Sequence, residues 1–252
     1  MITRGELRME PPAGILSAAR AWLAKVRPAL EHDFIAAYLT GSVLTQGFDP
    51  QKSRINILVL SRSLSGDVLD AIAKALPPPP RSGPRFDPLF MTHRNMEMSL
   101  DSFPIEWLEI QERHLLLEGD DVVATAQVPQ TYLRLQCEHE LRGKFIQLRQ
   151  AYLHFHGQAP ELERTLAGAA SGFAALFRTL LRLRGEPVPA TAAQVVERVS
   201  DVFELDAHGL LAAHLTRYGG RKHTAEEVAS HYRKFLTELD RLSIAIDQLR
   251  VP

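Results

Sequence analysis

A single cysteine, Cys137, occurs in the 252 residues. No intramolecular disulfide is therefore possible, and the expectation is a reducing, cytoplasmic setting in which packing alone holds the fold. Charge of one sign is lacking too, because 29 Lys and Arg stand against 30 Asp and Glu, for a formal net charge of -1. Without a basic field, neither nucleic acid nor an anionic membrane surface is favoured as a partner. No apolar run reads as long enough to span a bilayer, and the opening Met-Ile-Thr-Arg-Gly-Glu-Leu lacks a signal-peptide core, so no membrane association is expected. Low-complexity sequence is confined to the four prolines at 77–80, read as a stiff polyproline spacer in a surface loop.

What the chain does have is apolar residues, at 45% enough for one large or two modest cores. Ile15, Ala19, Trp22, Leu23, Val26 and Leu30 recur at helical spacing and predict a helix over 13–31 bent at Pro28. Apolar runs at 34–39 and 55–60 predict two neighbouring strands, and Ser65-Gly66-Asp67 opens a helix to residue 76. A third strand is expected at 88–91, a short helix at 92–100, a fourth strand at 103–110, and a run from 114 to 117 that enters a turn at 118–121. Beyond residue 128 the period is helical throughout. Helices are expected at 129–155, 160–183, 190–203, 207–218 and 224–249, with proline or glycine at the breaks. Strands alternating with helices, then helices alone, predict an α+β chain of two domains, a mixed sheet flanked by helices over 1–127 and an all-α bundle over 128–252.

Residues 38–60, Tyr-Leu-Thr-Gly-Ser-Val-Leu-Thr-Gln-Gly-Phe-Asp-Pro-Gln-Lys-Ser-Arg-Ile-Asn-Ile-Leu-Val-Leu, place Gly41-Ser42 after one strand and Arg54-Ile55-Asn56 at the head of the next. This segment resembles the active-site segment of polymerase-β-type nucleotidyltransferases, in which a strand ends in Gly-Ser, a short helix follows and the next strand carries Asp-x-Asp. The resemblance implies that Gly41 and Ser42 approach a phosphate and that the two metal-binding aspartates are replaced by Arg54 and Asn56. Residues at i and i+2 of a strand share a face, so a pair of carboxylates there could hold two divalent cations against a triphosphate. Near an effective dielectric of 20, a unit charge about 4 Å from a dication contributes roughly 8 kcal/mol, attractive for Asp and repulsive for Arg. No metal or other cofactor is expected on this reading. Magnesium would enter only if the site were an active transferase.

The resemblance extends to residues 103–119, where a strand with an acid precedes a short strand ending in a turn, and it makes Glu106 the candidate third carboxylate. The bland reading of Glu106 is a solvated glutamate on a half-exposed strand. Asp49 and Asp101 are the other acids that a rearranged active site could recruit.

The helical half is similar in outline to the bundle of enzymes that adenylylate small molecules, and it also invites comparison with HEPN bundles. The Arg-then-His spacing of HEPN ribonucleases, as from Arg149 to His154, occurs about as often as chance supplies it and carries no weight. His139, His154 and His156 are the histidines that could be arranged as metal ligands, but His154 and His156, at i and i+2 of a helix, face different ways and suit a shared metal poorly. Cys137 reads as packing, and Phe173, Leu176, Phe177, Leu180 and Leu181 read as a core stripe. Arg142 and Lys144 are the substrate-side candidates, positive groups that could touch an anion, against the alternative of a salt-bridged face.

The expectation for function is a nucleotidyltransferase-fold protein with transfer chemistry lost or impaired, keeping a nucleotide-binding or regulatory role in which Arg54 holds phosphate directly. The alternatives are an active enzyme that transfers a nucleoside monophosphate to a small molecule or protein, and a helical interaction module of a toxin-antitoxin-like or regulatory pair. Possible partners are accordingly a nucleotide and a second copy of the chain.

Overall fold

The computed structural model describes residues 10–45, 48, 54–78, 85–218 and 223–249, with backbone only for 130, 171, 217 and 218. The chain divides into two compact units, one ending at Pro129 and the other beginning at Gln130.

The first unit is built on a four-stranded sheet, β1 (Phe34–Thr40), β2 (Ile55–Ser61), β3 (Phe86–Thr92) and β4 (His114–Gly119), in the order β3-β2-β1-β4. The strands β1 and β2 are antiparallel neighbours, as expected from their apolar runs, with Leu39 opposite Ile57 and Thr40 opposite Asn56. The strand β4 pairs antiparallel on the other side of β1, and β3 runs parallel to β2, so the sheet is mixed. One face carries Leu39, Ile57 and Val59 against Ile15, Trp22 and Leu23 of α1 (Ala13–Val26) and Ile72 of α2 (Gly66–Ala75). The opposite face carries Tyr38, Leu58 and Leu60 against Met96 of α3 (His93–Ser99) and Trp107 of α4 (Pro104–Glu112). Burial on both faces explains why β1 and β2 read as continuous apolar runs with no alternation.

Several expected elements take different bounds or a different form. The first helix ends at Val26 and not at 31, since Arg27–Asp33 tightens into a 3-10 turn with Pro28 in its first positions. Proline removes a helical N–H and crowds the carbonyl four residues back, which a tighter winding relieves. Glu31 takes φ 46° where the turn reverses into β1. The strand β3 starts at Phe86, two residues before the expected start. Residues 103–110 form the helix α4 in place of a strand. Pro104 sits at the first helical position, where its missing N–H is no loss, and the Phe103 carbonyl accepts from the Trp107 amide at 3.1 Å. Alternating Ile105 and Trp107 mimic a strand in sequence, yet both are buried on this helix, and the Trp107 Nε1–H donates to Ser99 Oγ at 2.9 Å. A single short helix, α5 (Val122–Thr125), closes the unit.

The second unit is helical, as its periodicity predicts: α6 (Leu133–His154), α7 (Ala159–Leu183), α8 (Ala192–Phe203), α9 (Ala207–Tyr218) and α10 (Ala225–Asp247). The helix α7 packs against the other four, and the expected stripe of Phe173, Leu176, Phe177, Leu180 and Leu181 is buried in full. Over 18 residues α7 reaches a mean hydropathy of 1.2, long and apolar enough to cross a membrane by composition. Here it is the shared wall of the bundle. Thr191 with Gln194 and Thr224 with Glu227 form capping boxes that start α8 and α10. In each, the hydroxyl and the side chain three residues on satisfy two otherwise orphaned amides. The Tyr232 hydroxyl donates to the Leu148 carbonyl at 3.0 Å and ties α10 to α6. Asp49, Pro79, Pro80, Gly219 and Gly220 of the sequence reading lie outside the described residues.

Candidate functional site

Strand register assembles the polar edge of the sheet. Thr40 pairs with Asn56 and with His114, and Asn56 pairs with Asp87. Paired residues share a face, so Asp87, Asn56, Thr40 and His114 form one row across all four strands. The next row on that face, Leu89, Leu58, Tyr38 and Leu116, is apolar. The row thus marks where the core under α3 and α4 ends. Arg54 immediately precedes β2 and reaches the same end of the sheet, its Nη1 lying 3.6 Å from Asp87 Oδ2.

Gly41 and Ser42 stand directly above this row. They open a single 3-10 turn, Gly41–Leu44, rather than a longer helix, and the Thr45 amide and hydroxyl both donate to the Ser42 carbonyl at 3.0 and 2.8 Å. One turn contributes little dipole, so any anion here would depend on individual donors. Gly41 has φ 79°, and a Cβ at that position would lie 3.1 Å from Asn56 Nδ2. The positive φ is what favours glycine here, and a Cβ would in addition press on the Asn56 amide. Val43 and Leu44 are buried and anchor the turn, while Ser42 and Asn56 are exposed. The structure thus brings together four of the expected residues, Gly41, Ser42, Arg54 and Asn56.

Glu106 lies exposed in the first turn of α4, because the segment that carries it is a helix and not the expected strand. The carboxylate that faces the row is Asp87, which the sequence reading missed by starting β3 at Pro88. Its face was legible in the sequence, though its pairing partner was not. Phe86 and Phe90 both pack on Trp22, at ring-centroid distances of 6.0 and 6.4 Å, and a period of two drawn back from Phe90 places Asp87 on the opposite face. Asp101, the other described alternative, lies in the turn before α4 and accepts from Ser102 Oγ at 3.1 Å.

The far end of the row is structural. His114 Nε2 lies 3.1 Å from Asp121 Oδ1, and its Nδ1 lies 3.0 Å from the Ile110 and Gln111 carbonyls. The Tyr38 hydroxyl donates to the Asp120 carbonyl and accepts from the Val122 amide. Burial pushes the Tyr38 phenol up to about 12, with nearby Asp121 and Asp120 adding to the shift, so it remains a donor at neutral pH.

The donor set at the row does not fit the metal pair that the sequence resemblance implies. A guanidinium and a carboxamide stand where the sequence resemblance implies the Asp-x-Asp pair, and the Asp87 carboxylate beside them already faces the Arg54 guanidinium. Elsewhere among the described residues, no group of three His, Cys, Asp or Glu side chains is spaced to hold a metal ion.

In the bundle, Arg142 bonds both carboxylate oxygens of Asp247, at 2.7 and 2.8 Å, and also meets Glu138 at 3.1 Å. Lys144 meets Glu140 at 2.6 Å. Both charges take part in ion pairs within the bundle, the alternative that the sequence left open. Cys137 is fully buried, and burial raises its thiol to about 12, which denies it a nucleophilic role at neutral pH. His154 and His156 meet the rings of Phe155 and Tyr152 respectively in edge-on contacts.

No protein-family model matches the sequence, and no curated protein matches it significantly. Among solved structures, the chain is similar to the spectinomycin adenyltransferase AAD(9) from Enterococcus faecialis, determined with ATP and spectinomycin. The similarity has a TM-score of 0.55 at 12% identity and covers 89% of this chain and 98% of that one. The likeness is one of fold: a mixed four-stranded sheet with helices, followed by a mostly helical region, the architecture of an antibiotic adenyltransferase.

Proposed function

We propose that this is a nucleotidyltransferase-fold protein in which transfer chemistry is lost and the phosphates of a nucleotide are held directly, without metal, by Arg54, Asn56, Ser42 and the Gly41 turn. The observation that carries this reading is the composition of the row itself. Both positions of the Asp-x-Asp pattern present hydrogen-bond donors, and Arg54, though 3.6 Å from Asp87, is 71% exposed at the rim and accessible to a ligand from solvent. A guanidinium offers a planar fork of N–H groups that matches phosphate oxygens, and the Asn56 amide adds a donor beside it. ATP in the similar AAD(9) structure supports a nucleoside triphosphate as the class of ligand.

Phosphoryl and nucleotidyl transfer need the developing charge neutralised and the attacking and leaving oxygens aligned, a task that two metal ions perform in many such sites. Here one arginine replaces four positive charges and can bind the ground state without stabilising the in-line transition state. An active enzyme would need further carboxylates in the row, and Glu106 and Asp101 stand on and before α4. Fluorescence anisotropy with a labelled ATP in EDTA tests the reading. Saturable binding that weakens with salt and is lost in Arg54→Ala is the expected result, and equal binding by Arg54→Ala contradicts it.

A further inference from the structure

We infer that Asp87 is a built-in competitor for the anion site, its carboxylate holding the Arg54 guanidinium until a ligand phosphate displaces it. The inference rests on the direct-phosphate reading above and adds the regulation of that same site. The two side chains differ in how firmly they are placed. Asp87 lies within β3, in register with Asn56, followed by Pro88 and flanked by Phe86 and Phe90, whose rings are anchored on Trp22. The strand fixes its backbone, and two side-chain torsions are all the freedom its carboxylate has. Arg54 stands before the first residue of β2 on a long flexible stem, 71% exposed against 54% for Asp87, and is 3.6 Å from it. That separation is a loose ion pair, longer than a charge-assisted hydrogen bond, of the kind that a better acceptor can exchange.

A phosphate that takes Arg54 from Asp87 also meets the repulsion of the carboxylate left behind. Asp87 therefore weakens every phosphate ligand twice, by competing for the guanidinium and by opposing the anion, and both effects are screened by salt.

Calorimetry with inorganic tripolyphosphate in EDTA at low salt, on the full chain, tests this. Asp87→Asn is expected to bind about three- to tenfold tighter than the parent, with the gain shrinking at high salt and in an Arg54→Ala background. Both side chains are exposed, so the variants should keep the parent's helical signal and melting behaviour. Unchanged or weaker binding by Asp87→Asn, with Arg54→Ala still impaired, overturns the competitor and leaves the phosphate site standing. In a parallel titration with magnesium in place of EDTA, weaker binding by Asp87→Asn confined to that arm also overturns it, by making Asp87 a metal ligand. If Arg54→Ala binds as the parent does, the phosphate reading itself falls, and the competitor with it.

Discussion

Asn56 on β2 is paired in register with Asp87 on β3, and the Asn56 amide lies 3.1 Å from where a Cβ on Gly41 would stand. This one relationship fixes the site: it sets the turn, the donor and the carboxylate against one another at the end of the sheet. Replacement of Gly41 by alanine forces a Cβ into that contact and an L-residue into φ 79°. The expected cost is about 1–2 kcal/mol in chemical denaturation. Phosphate binding should weaken as well, and a variant with parental stability would show that the turn relaxes freely.

The bundle core offers a contrast between two large side chains. Phe177 is 1% exposed on α7, whereas Ile146 is 58% exposed on α6. Phe177→Ala should cost about 3–5 kcal/mol through lost burial and the cavity left behind. Ile146→Ala should stay within about 0.5 kcal/mol. Urea titrations followed by circular dichroism compare them, and similar midpoints would contradict the assigned core.

Acid should loosen the bundle before carboxylates titrate. Burial lowers His214, and burial together with His223 and His208 lowers His231, with Lys234 adding to the lowering and Glu227 opposing it. The folded state therefore binds fewer protons than the unfolded chain. The associated stability is present in full above the unfolded value of 6.5 and is lost as pH falls from there through the lowered folded values. A melting temperature that drops between about pH 7 and 5.5, and drops less in His231→Gln, is expected. A flat profile over that range would refute the assignment.

Cys137 should resist alkylation in the native protein. Its side chain is fully buried and its thiol is raised to about 12 by that burial. Iodoacetamide at pH 8 should label it only after denaturation, and labelling of folded protein within minutes would mean that α6 opens readily.

Much of this architecture was legible in the sequence because its determinants are local. Periodicity gave the five bundle helices, and the Thr-x-x-Gln and Thr-x-x-Glu boxes at Thr191 and Thr224 mark two of their starts. Gly41, Ser42, Arg54 and Asn56 lie within one short segment, so their proximity needed only a strand-turn-strand reading. Asp87 was different. It reaches the site through parallel pairing of β3 with β2, a long-range register that no local pattern specifies. Glu106 was misplaced because Ile105 and Trp107 alternate as a strand would, while Pro104, one residue earlier, was the stronger signal for a helix start. The ion pairs of Arg142 with Asp247 and of Arg149 with Asp240 join helices far apart in sequence, which composition cannot pair.

The central claim is that donors have replaced metal at this site, and calorimetry of ATP binding with and without magnesium tests it most directly. The unmodified protein should bind ATP with the same affinity in EDTA and in magnesium, with no nucleotidyl transfer. Arg54→Asp combined with Asn56→Asp would place two carboxylates in the row beside Asp87, and should make binding depend on magnesium. Tight binding by the unmodified protein that requires magnesium would contradict the account.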